Sequence, residues 1–291
     1  MSGTGVSVEA MTSSATQRKI WICADDYGIS LSVSTAIRDL VGQGRINATS
    51  VMVVAPTFHR SEAAALNALR VHGARVAIGL HLTLSAPFKP LSEGFVPLAD
   101  KAFPSLPAML VRACLHQLDR KALEAEIAAQ LRMFAHEFGR APDFIDGHQH
   151  VHIFPQVRDA LFAVARALAP DAWIRQCGRA GALSARISDP KGLVLDLLSK
   201  RFREGAAALG VRTNSAFAGT YAFNDDADFA ALFPCFLDGL PDGGLVMCHP
   251  GMVDAELRRL DPLTTLREKE YAYFAGESFP QMLASKGISL A

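Results

Sequence analysis

Short apolar runs alternate with amphipathic helical stretches along nearly the whole chain, and this alternation limits the fold more than any other feature. Lys19 to Ala24, Ala48 to Val54, Arg75 to Leu80, Asp143 to Asp146, Ala172 to Arg175, Ser215 to Ala218, Gly244 to Cys248 and Gly287 to Leu290 read as strands. Ser32 to Gln43, Glu62 to Arg70 with Ser61 as N-cap, Lys121 to Phe138, Val157 to Leu168 behind Pro155, Lys191 to Leu209, Ala227 to Leu237 and Thr264 to Phe274 read as helices. Pro87 to Pro107 carries five prolines and little periodicity, so a long loop is expected there. Alternating β and α elements imply a parallel sheet. The expected fold class is therefore α/β: a distorted, TIM-barrel-like (β/α) barrel with mostly parallel strands. An open doubly wound sheet is the alternative.

The 291 residues suit one large domain over residues 19–291, preceded by a Ser-, Thr- and Gly-rich segment, 1–18, that reads as a disordered tail. That segment lacks the basic start and apolar middle of a signal peptide. A formal net charge of +0 argues against nucleic acid or an anionic membrane as partner, since both reward a basic face. No apolar run approaches the roughly 20 residues of a membrane span. The five cysteines are scattered and form no CxxC pair, which argues against a disulfide framework and suits a cytoplasmic protein with reduced thiols.

Four of the apolar strands end in polar, metal-competent residues: Asp25-Asp26 after the first, His81 after the third, Asp146-Gly-His148-Gln-His150-Val-His152 after the fourth, and His249-Pro-Gly251 near the C-terminus. In parallel α/β folds the C-terminal ends of strands gather at one face, so these distant segments are expected in one cleft. Adjacent Asp25 and Asp26 repel each other unless a positive charge sits beside them. A divalent cation supplies that charge, leaving one carboxylate as ligand and the other as base. In an extended chain the spacing of His148, His150 and His152 would put all three on one face, where any could ligate. Pro250 and Gly251 make a sharp turn that aims His249, a candidate general acid or oxyanion partner.

Ala24-Asp-Asp-Tyr-Gly28, Gly79-Leu-His-Leu82, Asp146-Gly-His-Gln-His-Val-His152 and His249-Pro-Gly251 together resemble, in order and spacing, the YdjC-like family of carbohydrate deacetylases. The resemblance runs from about Lys19 to the C-terminus. It implies a distorted (β/α) barrel and one divalent metal, magnesium or zinc, held by Asp26, His81 and His148. It also implies that Asp25 is the base, and it is compatible with a homodimer. The chain departs from the family pattern at Tyr27, where many relatives carry Phe, and at Gly147 and Gln149, where others read Ser and His.

The activity so implied is hydrolysis of an N-acetyl group on an amino sugar. Asp25 would take a proton from water and His249 would protonate the leaving amine. Asp146 would orient a ligand imidazole, Arg175 would keep Asp25 ionised, and His150 and His152 would line the surroundings or the substrate side. The alternatives are a metal-dependent hydrolase of another amide or a phosphoester, and a non-catalytic sugar- or metal-binding relative.

Overall fold

The structure is a computed structural model in which residues 17–95, 101–180 and 190–291 are described. Its strands are β1 (Arg18–Tyr27), β2 (Ala48–Val51), β3 (Ala77–Leu82), β4 (Phe144–Gly147), β5 (Trp173–Ile174), β6 (Phe217–Ala218), β7 (Leu245–Cys248) and β8 (Ile288–Leu290). Around them lie α1 (Leu31–Gly42), α2 (Arg60–Val71), α3 (Leu106–Cys114), α4 (Arg120–Phe138), α5 (Val157–Leu168), α6 (Pro190–Ala208), α7 (Phe229–Phe236), α8 (Ala255–Leu260), α9 (Thr265–Ala275) and α10 (Ser278–Ser285).

All strand pairs are parallel, in the order β5-β4-β3-β2-β1-β7-β6, with β8 pairing the start of β1. The two ends of that order meet. Ile174 N donates to Arg212 O at 2.9 Å, Phe217 N donates to Gly178 O at 3.0 Å, and Arg179 bridges Phe217 in parallel. The sheet thus curls on itself and is joined along one irregular seam, as a distorted (β/α) barrel requires.

Ile22, Ile78, Leu80, Ile145 and Val246 are fully buried between the sheet and its helices. Each such side chain is worth about 1.5–3 kcal/mol of transfer free energy. Side-chain caps define several helix starts: Ser30 accepts from Val33 N, Asp119 from Lys121 N and Ala122 N, and Asp254 from Leu257 N. α4 stops at Gly139, whose φ of 68° is left-handed.

Several expectations are corrected. α2 begins at Arg60 with His59 in the cap position, so Ser61 lies inside the helix. The strand expected to run to Val54 ends at Val51. The prolines of 87–107 do not keep the whole stretch irregular, because Pro107 falls in the first turn of α3, where a missing N–H is no loss. α8 and α10 are short helices without a readable apolar period. The segment 1–18 lies outside the described residues up to position 16, and by Arg18 the chain is already in β1. The loop 178–189 is described only to Ala180. No helix among the described residues is long and apolar enough to cross a membrane.

The largest correction concerns the histidine cluster. His148–Ile153 is not extended but forms a 3-10 turn, with Gln149 (φ 53°) and His150 (φ 60°) left-handed inside it. The three imidazoles therefore do not share one face.

Candidate active site

Asp25 and Asp26 are sequence neighbours, and in a regular strand neighbours point to opposite faces. Both reach the cleft because β1 breaks its alternation here. Its register against β2 shifts between Ala24 and Tyr27, and Asp26 sits at φ 67°. Asp tolerates this left-handed region better than most residues. Gly28 follows at φ +97°, where a Cβ would stand 3.2 Å from Phe58. Such a bulge re-aims a side chain at the cost of one ladder position.

Asp26 Oδ1 is the meeting point. His81 Nε2, from the end of β3, lies 3.2 Å away, and His148 Nδ1, just past β4, lies 3.1 Å away. Three ligand-capable atoms of Asp26, His81 and His148 fall within 4.8 Å of one another, and all three residues are buried. His148 is placed by the turn it opens and by Phe88, whose ring meets it edge-on at 5.6 Å. The Phe88 loop is itself tied to α4. Gln130 bonds both Thr83 N and Thr83 O, and Glu126 accepts from Leu91 N and Ser92 N.

Behind the donor set runs a charge network. His81 Nδ1 donates to Asp146 Oδ1 at 2.6 Å, with Ser50 Oγ 2.9 Å away. Arg175, just past β5, donates to both oxygens of Asp25, at 2.7 and 2.6 Å, and pairs with Asp146. Burial works against ionising Asp25, but Arg175 overrides it and holds the carboxyl well below the usual range. Burial opposes ionisation of Asp26 too, and Arg267 with the two imidazoles outweighs it.

The tautomer at His81 tests whether a cation fits. A carboxylate only accepts hydrogen bonds, so the Nδ1 facing Asp146 carries the proton. A neutral ring then turns a bare Nε2 lone pair toward the Asp26 oxygen, an arrangement that needs a positive charge between them. Without a metal a second proton supplies it. Burial pushes the His81 imidazole down, but Asp146, Asp26 and Asp25 outweigh that and raise it to about 10. Two imidazoles and one carboxylate, each turning a ligand-capable atom to one point, suit a divalent metal with open positions for water and substrate. A second possible donor group, Cys23, Asp25 and Asp146, is also compact. The Arg175 guanidinium bonds all three, to Cys23 Sγ at 3.0 Å, and takes up the charge a second cation would carry.

The remaining anticipated residues lie around this centre. His152 turns away from the donor set, its Nε2 2.9 Å from Arg175 O, and packs edge-on against Phe202. A Cβ at Gly147 would stand 2.8 Å from His152 Nδ1, so the missing side chain there makes room for that ring. His150 lies between the Cys177 thiol, 3.6 Å from its Nδ1, and the ring of Phe217. His249, at the end of β7, is half-buried against Phe223, and its Nδ1 has no hydrogen-bond partner.

Sequence reasoning missed two charged residues on α9. Arg267 is fully buried, and its Nη2 donates to Asp26 Oδ2 at 2.6 Å. Glu270, one turn on, accepts the His249 backbone N–H at 2.5 Å and the Tyr221 hydroxyl at 2.7 Å. Their i, i+3 spacing, flanked by Leu266 and Phe274, is the one signal that put them on the buried stripe.

Fold and cluster together define a class: a (β/α) barrel whose strand ends converge on a metal-competent donor set beside an arginine-held carboxylate. The YdjC-like protein family matches residues 19–285, and the chain belongs to that family. A chitooligosaccharide deacetylase of Citrobacter koseri is 26% identical over 256 residues, which is 84% of this chain and 85% of its own length. A carbohydrate deacetylase of Clostridium beijerinckii is 24% identical over 281 residues, 91% of this chain and 98% of its own. A carbohydrate deacetylase of Danio rerio is 34% identical over 150 residues, about half of each chain (50% and 46%). A solved Enterococcus faecalis structure, described for cellobiose-phosphate cleavage, has a TM-score of 0.74 at 21% identity, covering 94% of this chain and 97% of its own. At that identity the likeness speaks to the fold.

Proposed function

We propose that the chain is a carbohydrate N-deacetylase that hydrolyses the acetamide of an amino sugar or oligosaccharide at a single divalent metal site. The observation that carries this reading is the pairing of two arrangements in one buried cleft. Asp26, His81 and His148 turn donor atoms to one point, and Asp25 stands next to them, kept anionic by Arg175. Family membership and deacetylase relatives matching along most of the chain support it.

Asp26, His81 and His148 would hold the metal, magnesium or zinc, which when bound supplies Lewis acidity to the acetyl carbonyl and makes a nearby water more acidic. Asp25 accepts the proton of that water as its oxygen attacks the carbonyl carbon. Arg175 keeps Asp25 anionic and able to accept that proton, while making it a weak base. His249 donates a proton to the sugar nitrogen as the C–N bond breaks, releasing acetate and the free amine. Asp146 fixes the His81 ring through its second nitrogen, the usual device for aiming a ligand imidazole. His150 and His152 flank Cys177 and Arg175 and shape the wall beside β5.

A phosphoesterase usually sets two metals about 3.5–4 Å apart and needs more free carboxylates. Here Asp25 and Asp146 are both held by Arg175. Cytoplasmic location and a homodimer belong to the same proposal; all five cysteines are unpaired thiols, as a reducing compartment allows.

The test is acetate release from N-acetylglucosamine oligomers by protein supplied with Mg²⁺, Zn²⁺ or Co²⁺. His81→Ala should lose both metal and turnover. Full activity of that variant after chelation would overturn the assignment.

A further inference from the structure

Arg267 is a guanidinium sealed from solvent, drawn from α9 into the strand-end cleft 241 positions along the chain from the carboxylate it meets. Its contacts divide into two sets. Nε donates to Leu263 O at 2.9 Å, anchoring the side chain to the segment that leads into α9. Nη2 donates to Asp26 Oδ2 at 2.6 Å and lies 3.4 Å from Asp261. Nη1 is buried without a hydrogen-bond partner.

Stability alone does not account for this residue. A buried charge with one unpartnered NH2 nitrogen is costly, and an apolar side chain of similar volume is often neutral or better in its place. What Arg267 achieves is geometric. With Oδ2 drawn to the guanidinium, Asp26 presents only Oδ1 to His81 and His148. The carboxylate cannot swing to offer both oxygens without leaving a charged donor empty. Asp26 sits in the bulge of β1, and Arg267, on a separate element, holds one oxygen of its carboxylate in place.

We propose that Arg267 is a positioning residue for the metal site: it holds Asp26 as a one-oxygen ligand and so sets the affinity and coordination geometry of the cation. The backbone extends the same control to the opposite wall. Arg267 O accepts Gly251 N at 3.0 Å, while Glu270 accepts His249 N. The turn that carries the candidate acid and the carboxylate that carries the metal are therefore mounted on one helix.

This inference rests on the metal-site reading above, and the experiment separates the two. Chelator-stripped wild-type protein, Arg267→Lys, Arg267→Met and His81→Ala are titrated with Co²⁺ by calorimetry, and the visible spectrum of each loaded protein is recorded. Lysine keeps the charge but has no planar fork, so it distinguishes geometry from charge balance. The expected result is Co²⁺ affinity lowered roughly 10–100-fold in Arg267→Lys, the range for partners that orient ligands, with an altered spectrum and an unchanged far-UV circular dichroism spectrum. Unchanged affinity and spectrum in Arg267→Lys would overturn the inference. So would an Arg267→Lys chain that no longer folds, because the residue would then be structural; Arg267→Met is expected to bind no better than Arg267→Lys. If His81→Ala keeps wild-type Co²⁺ binding, it is the site assignment that fails.

Discussion

Arg175 and Asp25, 150 positions apart, meet end to end: Nη1 lies 2.7 Å from Oδ2 and Nη2 lies 2.6 Å from Oδ1, with neither side chain exposed to solvent. The same guanidinium also pairs with Asp146. Arg175→Met leaves two buried carboxylates facing each other without compensation. Removing one partner of a buried pair costs about 3–5 kcal/mol. Urea unfolding should show a loss of that size, and a variant within about 0.5 kcal/mol of wild type, the range of ordinary surface changes, would contradict it.

Asp25→Asn keeps the shape of the side chain and removes the proposed base. Turnover should fall about 10²–10⁴-fold, the usual contribution of general acid–base catalysis, while metal content stays at the wild-type value. Acetate release paired with metal analysis reads both. The acid side follows from the same residue. Its carboxyl is depressed in the folded protein, so its stabilising contribution is present above the ordinary carboxylate range and is lost as pH falls below it. Acid unfolding of wild type should therefore lie well below pH 4, where carboxylates of about 3.9 titrate in the unfolded chain.

His81 sets the alkaline side of the metal-free protein. Its folded value is raised to about 10, so its contribution is fully present below the unfolded imidazole range and is lost as pH rises through about 10. A metal replaces the proton, and binding it should release protons. Melting temperatures of chelated protein should fall between about pH 6.5 and about pH 10, the unfolded and folded values, while metal-loaded protein stays flat. Parallel curves would contradict the exchange.

Gly79 packs against the ring of Phe144, which is stacked on Trp173 at 4.5 Å. A Cβ at Gly79 would stand 2.6 Å from that ring, with the stack leaving it nowhere to go. Gly79→Ala should destabilise by about 1–3 kcal/mol as overpacking does, and it should disturb His81 two residues along β3. Thermal unfolding with a parallel Co²⁺ titration measures both.

The barrel was readable because strand and helix periods differ and the apolar runs are buried. The strand-end segments placed Asp25, Asp26, His81, the run Asp146 to His152 and His249 in one region; the structure brings Asp26, His81 and His148 to one point and turns His152 away from it. Local backbone was the failure. Spacing two in His148, His150 and His152 implies one face only in an extended chain, and the left-handed Gln149 and His150 break that premise. Arg267 and Glu270 were hidden for another reason. Thr-Leu-Arg-Glu-Lys-Glu-Tyr reads as a solvated helix, and the i, i+3 spacing of Arg267 and Glu270 beside Leu266 and Phe274 is the one local sign of which charges face inward. Their partners, Asp26 and the His249 backbone, lie far away in sequence.

The bulge at the end of β1 has a consequence for engineering. A designer who copies Asp25 and Asp26 onto the rim of another barrel would obtain one carboxylate in the cleft and one among the helices. The transferable unit is the whole run from Ala24 to Gly28, with its register slip and two left-handed residues, together with the close approach of Phe58 that the glycine permits. In this chain the spacing between the two carboxylates is written in the backbone before any side chain is chosen.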